Sequence, residues 1–163
     1  MTDRVAGWIR LGIVLTLAVP QLVIGLWAVV APRSWFDSFP GFDPRLVAAE
    51  PPYNEHLASD VGAGFLATGV ALLVAVIWAN RTGIQVALVA YAAFTLPHVI
   101  YHSTHPADSL TGFEDVMNSL ALASGLVLAA VFAWAVHSAG RHQPRGTVAS
   151  DERGSRDVHQ STV

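Results

Sequence analysis

Cysteine is absent from this chain of 163 residues. That absence excludes disulfides, thiolate nucleophiles, iron–sulfur clusters and thiolate metal sites. Lysine is absent as well, and all nine basic residues are Arg. Charge is scarce altogether: 13% of residues carry it, against about 25% in a typical soluble domain. Hydrophobic residues make up 53%. So little polar surface cannot cover a water-soluble fold of this size. The formal net charge of −3 comes without any basic stripe, which removes the electrostatic footprint of nucleic-acid binding. No internal repeat is present.

Four long apolar runs take up about half of the chain: Leu11 to Ala31, Val61 to Ala79, Thr82 to Ile100 and Val116 to Val136. Each approaches the roughly 20 residues that cross a hydrocarbon core of about 30 Å. Backbone groups in lipid must be satisfied within the segment, so the runs read as helices. The first run exceeds a signal-peptide core, and Pro32-Arg33-Ser34-Trp35 offers no small-residue cleavage site, so it reads as retained. The expectation is an all-α fold, a four-transmembrane-helix bundle over 1–140. The polar stretch 141–163 reads as a disordered cytoplasmic tail.

Arginine placement predicts the orientation. Arg4 and Arg10 precede the first run, Arg81 links the second and third, and Arg141, Arg145, Arg153 and Arg156 follow the fourth. The link from Ser103 to Gly112 has none. Both termini should face the cytoplasm. The five tryptophans (Trp8, Trp27, Trp35, Trp78 and Trp134) then fall at expected membrane–water interfaces. Small residues recur at Ala63, Ala67, Ala71 and Ala75 and at Ala121, Gly125, Ala129 and Ala133, and are expected to pack helix on helix. Between the first two spans, Ala31 to Tyr53 is rich in proline and aromatics and should lie outside, over the bundle mouth. Within it, Asp43-Pro44-Arg45 predicts a short helix running to about Glu50.

With that topology, titratable residues of three spans gather at the outer leaflet. His98, Tyr101 and His102 end the third span, Glu114 and Asn118 begin the fourth, and His56 and Asp60 begin the second. Polar groups inside a membrane bundle are expensive and usually mark a site. Four candidates stand out for catalysis: His98, His102, Asp60 and Glu114. Each has a structural counter-reading, which for His98, His102 and Asp60 is a His–Asp or His–Glu pair that only pins the helices together. Thr111 and Glu114 form a capping-box pattern, Asp115 suits a helix N-terminus, Asn54 suits an N-cap, and Gln21 could satisfy a backbone group freed by Pro20. His105 reads as a solvated loop histidine.

Three chemistries remain open. His98 and His102, four apart, can share a divalent metal with His56 or a carboxylate. A histidine beside a carboxylate can do acid–base work on a lipid-soluble substrate. A histidine among Tyr91, Phe94, Tyr101 and Asn118 can hold a quinone or another isoprenoid. A fourth reading is a non-catalytic accessory subunit with a membrane-protein partner.

The stretches PPYNEHLASDVGAGFLATG (Pro51 to Gly69) and LPHVIYH (Leu96 to His102) resemble the DoxX-like group of small four-span bacterial membrane proteins. The resemblance extends over roughly residues 8 to 137. It implies a location in the bacterial plasma membrane and a redox- or quinone-associated role.

Overall fold

The computed structural model describes residues 3–141; the expected tail beyond Arg141 lies outside them. All regular structure among the described residues is helical. The first span is a continuous helix in three parts: α1 (Asp3–Ile13), a π-helical turn (Val14–Ala18) and α2 (Val19–Val30). Then come the short α3 (Pro32–Ser38) and three long helices, α4 (Glu55–Ile77), α5 (Arg81–Thr104) and α6 (Gly112–Arg141). Four helical stretches, Arg4–Val30, Glu55–Ile77, Arg81–Thr104 and Gly112–Ala139, are long and apolar enough to cross a membrane. At 1.5 Å per residue they extend roughly 35–42 Å. Large apolar side chains point outward all around them, among them Val23, Val89, Leu120 and Val127. The chain is a small integral membrane protein whose outer surface meets lipid.

Local chemistry sets the helix ends. Asn54 caps α4, its side-chain oxygen accepting from the Leu57 amide at 3.1 Å. Asn80 caps α5 in the same way, accepting from Thr82 and Gly83. Thr111 and Glu114 form the expected reciprocal box at the start of α6: the Thr111 amide donates to the Glu114 carboxylate at 2.8 Å and the Glu114 amide to the Thr111 hydroxyl at 3.3 Å. At the opposite end, Arg81 donates to the Ala139 carbonyl at 2.9 Å and Gln85 to the Ala133 carbonyl at 2.7 Å, tying α5 to α6.

The π turn has an identifiable cause. Pro20 has no N–H to give the carbonyl four residues back, and its ring crowds that carbonyl. The backbone widens instead, and the Val19 amide reaches the Val14 carbonyl, five residues back. Gln21 does not serve the kink; its oxygen accepts from the Thr68 hydroxyl on α4 at 3.0 Å.

Glycine rather than alanine decides which face of α4 packs. The expected stripe is wrong for its outer members, because Ala63, Ala67 and Ala71 are exposed and only Ala75 is buried. The packed face carries Gly62 and Gly69. A Cβ on Gly25 of α2 would lie 2.6 Å from the Leu66 amide nitrogen and 2.8 Å from the Gly62 carbonyl oxygen, so the two backbones touch there. On α6, Gly125 and Ala129 do face inward, whereas Ala121 is exposed. The Tyr91 hydroxyl lies where a Cβ on Gly125 would be.

The segment between α2 and α4 folds down as a cap. Trp35, 7% exposed, joins Ala28 and Ala58 in an apolar cluster with Ile24, Trp27, Phe39, Val47, Tyr53 and Val61 packed around it. Trp35 is thus a buried anchor and not an interface tryptophan. One further local expectation is corrected, the short helix from Asp43 to about Glu50. The helix of the cap is α3, started by Pro32 at its first turn. The Asp43 to Glu50 stretch makes turns, closed by Leu46 N–H to the Phe39 carbonyl and Glu50 N–H to the Val47 carbonyl. Arg33 lies over the Tyr53 ring at 4.8 Å and Phe36 meets it edge-on at 5.1 Å. Burial, then the Glu55 carboxylate, hold the Tyr53 phenol above its ordinary pKa, with Arg33 opposing them.

Candidate functional site

A cavity of about 500 Å³ lies between the cap and the mouth of the bundle. Its walls come from five parts of the chain. The cap provides Trp35, Phe36, Phe39 and Leu46, α2 provides Ile24, and α4 provides Leu57, Val61 and Phe65. The polar groups are Glu50 from the cap, Asn54 at the start of α4, His98, Tyr101 and His102 from α5, and Asn118 from α6. The volume lies in the roughly 300–1,000 Å³ range of small-molecule sites, and the pattern of apolar walls with a few polar groups is typical of them.

The two histidines are the polar centre. Positions 98 and 102 are four apart on α5, so both rings lie on one face. Their centroids are 4.7 Å apart at 81°. His98 also stands edge-on to Phe65 at 6.5 Å. The Nδ1 of His102 lies 3.9 Å from Oε1 of Glu50, close enough for charge attraction and too long for a hydrogen bond. Its side chain is only 18% exposed. Tyr101 packs against His102 and stacks flat on His105, with centroids 4.5 Å apart. Ser119 of α6 donates to the His102 carbonyl at 3.4 Å.

The structure brings together some of the expected site residues and separates others. His98, His102, Tyr101 and Asn118 line the cavity. Asp60 does not; it is exposed and faces His56 one turn before it, Nε2 to Oδ2 at 3.3 Å. Glu114 does not either, since its carboxylate is taken up by Thr111. The expected four-way meeting of His98, His102, Asp60 and Glu114 is therefore not formed. Tyr91 is buried deeper, in the bundle core. Phe94 packs on Phe65 at 5.1 Å and over Gly64, outside the cavity lining.

Glu50 is the residue that sequence reasoning missed. It sits in a loop with no helical phase, so spacing could not relate it to α5. The turn at its own amide and the burial of Ala49 beside it carry it inward.

The donor set does not suit a metal. His56, the third expected ligand, is on the outer flank with Asp60. Among the described residues no group of three His, Asp or Glu side chains is placed to hold an ion. No protein-family model, no curated protein and no solved structure matches this chain.

Proposed function

We propose that the capped cavity binds a lipid-soluble small molecule of the quinone class, on the extracytoplasmic side of a bacterial plasma membrane, in a DoxX-like protein with a redox-associated role. The observation that carries this reading is the union of one polar edge and aromatic walls in a single cavity beneath the cap. A quinone presents two carbonyl acceptors on a flat apolar ring. His98 and His102 supply donors for such an acceptor, Asn118 supplies another, and Phe65, Trp35 and Phe39 supply ring surface. The arginine distribution supports a cytoplasmic position for both termini, which puts the cavity outside. The acid–base reading draws on the same two histidines with Glu50, and any proton exchanged with a bound head group would pass through them.

The test is ligand extraction. The full chain, purified in mild detergent from a quinone-producing membrane, should release an isoprenoid quinone detectable by mass spectrometry. His98→Leu should reduce the amount several-fold, and Asp60→Asn should leave it unchanged. If no quinone co-purifies, and nanodisc-embedded protein fails to bind added decylubiquinone, the reading is wrong.

A further inference from the structure

We propose that the ligand is a single-chain amphiphile with a neutral head, and that its hydrocarbon chain leaves the cavity sideways between α2 and α6 into the bilayer core. The inference rests on the ligand reading above and adds the shape of the ligand and the path it takes.

Three of the four seams between the spans are held by contacts. The buried Trp35 packs over the cavity from the cap. The α2–α4 seam is shut by backbone contact at Gly25 and Gly62. Phe65 on Phe94, with Phe94 over Gly64, fills the α4–α5 seam. Tyr91 over Gly125, with the Ser119 hydrogen bond, fills the α5–α6 seam.

The fourth seam is different. Ile24 of α2 and Leu122 of α6 both line the cavity, yet no Cα of α2 comes within 8 Å of any Cα of α6. Span one touches α6 only lower down, through α1 and the π turn, where Gly12 meets the Phe132 ring. Above that point the π turn and Pro20 carry α2 toward α4. The resulting gap is bordered by apolar side chains and opens where the outer faces of both helices are lipid-facing, as at Val23, Leu26 and Leu120.

The lining chemistry selects the head group. None of the described lining residues is Arg, and the formal charge among them is the Glu50 carboxylate. A phosphate head would find no guanidinium to pair with and one carboxylate to repel it. A neutral carbonyl or hydroxyl head suits the histidine pair and Asn118. A cavity of about 500 Å³ takes a ring with a few attached carbons; a long chain must pass outside. The one side without a helix contact then provides its exit, into a solvent where a hydrocarbon chain costs nothing.

A photoreactive quinone with a diazirine at the end of a decyl chain tests this on the unmodified full chain in nanodiscs. Cross-linked peptides are mapped by mass spectrometry, with and without excess ring-only quinone. Label on bare lipid-facing surface survives the competitor; label from the bound ligand does not. Competable label concentrated on 20–30 of α2 and 116–127 of α6 is the expected result. Competable label on the cap or on the outer faces of α4 and α5 overturns the route while leaving the ligand reading intact. Absence of any competable label overturns both.

Discussion

The His98 and His102 rings meet edge to face, one helical turn apart, with centroids separated by 4.7 Å. Two imidazoles at that spacing on one helix face can offer ring nitrogens to a single bound head group. A neutral pair keeps one donor and one acceptor on each ring, the state suited to a carbonyl ligand.

Substitutions should therefore separate the cavity from the flanking polar groups. His98→Leu is expected to weaken decylubiquinone binding at least tenfold, which is about 1.4 kcal/mol. Asp60→Asn and Glu114→Gln should stay within about twofold, since neither side chain lines the cavity and Gln can keep the capping box. Equilibrium binding in nanodiscs decides the matter. Equal losses in all three variants would contradict the separation seen here.

The glycine contact makes a sharper stability prediction. Gly25→Val forces side-chain carbon onto the Leu66 and Gly62 backbone, which cannot move aside as a flexible side chain would. Overpacking of this kind costs about 1–3 kcal/mol or more. Gly7→Ala meets nothing within 4 Å and should be neutral or slightly stabilising. Thermal unfolding in detergent should rank the two variants far apart.

Trp35 anchors the cap through area and not through a hydrogen bond, because its indole nitrogen is buried without a partner. Trp35→Ala should cost about 3–5 kcal/mol of cap docking. Trp35→Phe keeps most of the buried ring and breaks no hydrogen bond, so it should cost clearly less than the Ala variant. Limited proteolysis reports this directly: cleavage at Phe36 and Phe39 should become rapid in the Ala variant and stay slow in the Phe variant.

Ala79, in the link between α4 and α5, holds φ at 53°. That left-handed conformation costs a residue with a Cβ about 1–2 kcal/mol. Ala79→Gly removes the clash and loses part of the gain to chain entropy, so a net stabilisation of up to about 1 kcal/mol is expected. A lowered unfolding midpoint would contradict the argument.

Topology is open to a labelling test that the cysteine-free chain makes clean. Ser109→Cys should react with an impermeant maleimide in intact cells, and Thr82→Cys should not. The reverse pattern would move the cavity to the cytoplasmic side.

The four spans were legible because length and apolarity alone decide what crosses a bilayer. The caps at Asn54 and Thr111 were legible because capping is local. The rotation of α4 was not. In lipid both the packed face and the outer face are apolar, so periodicity cannot tell Ala63 and Ala67 from Gly62 and Gly69. What separates them is how close a neighbouring backbone comes, and that depends on Gly25, far away in sequence. The same rotation sends Asp60 outward to His56 and leaves its place beside the histidines to Glu50, a loop residue whose position depends on the folded cap. His98 and His102 were legible as a pair because they share one helix face.

The π turn also has a meaning in the counting of the sequence. Ile9, Ile13, Leu17, Gln21 and Gly25 recur every fourth residue, and all are at least partly buried. On an unbroken α-helix each step of four overshoots a full turn by about 40°, so over four steps the row would wind about 160° around the cylinder. The wider turn at Val14–Ala18 takes in an extra residue and resets the phase. One helix can thus press Ile13 into the bundle floor and Gly25 against α4. Deleting the exposed Leu15 would remove that extra residue, return the turn to ordinary α-helix and leave the faces at Gly12 and Gly25 in their present relation.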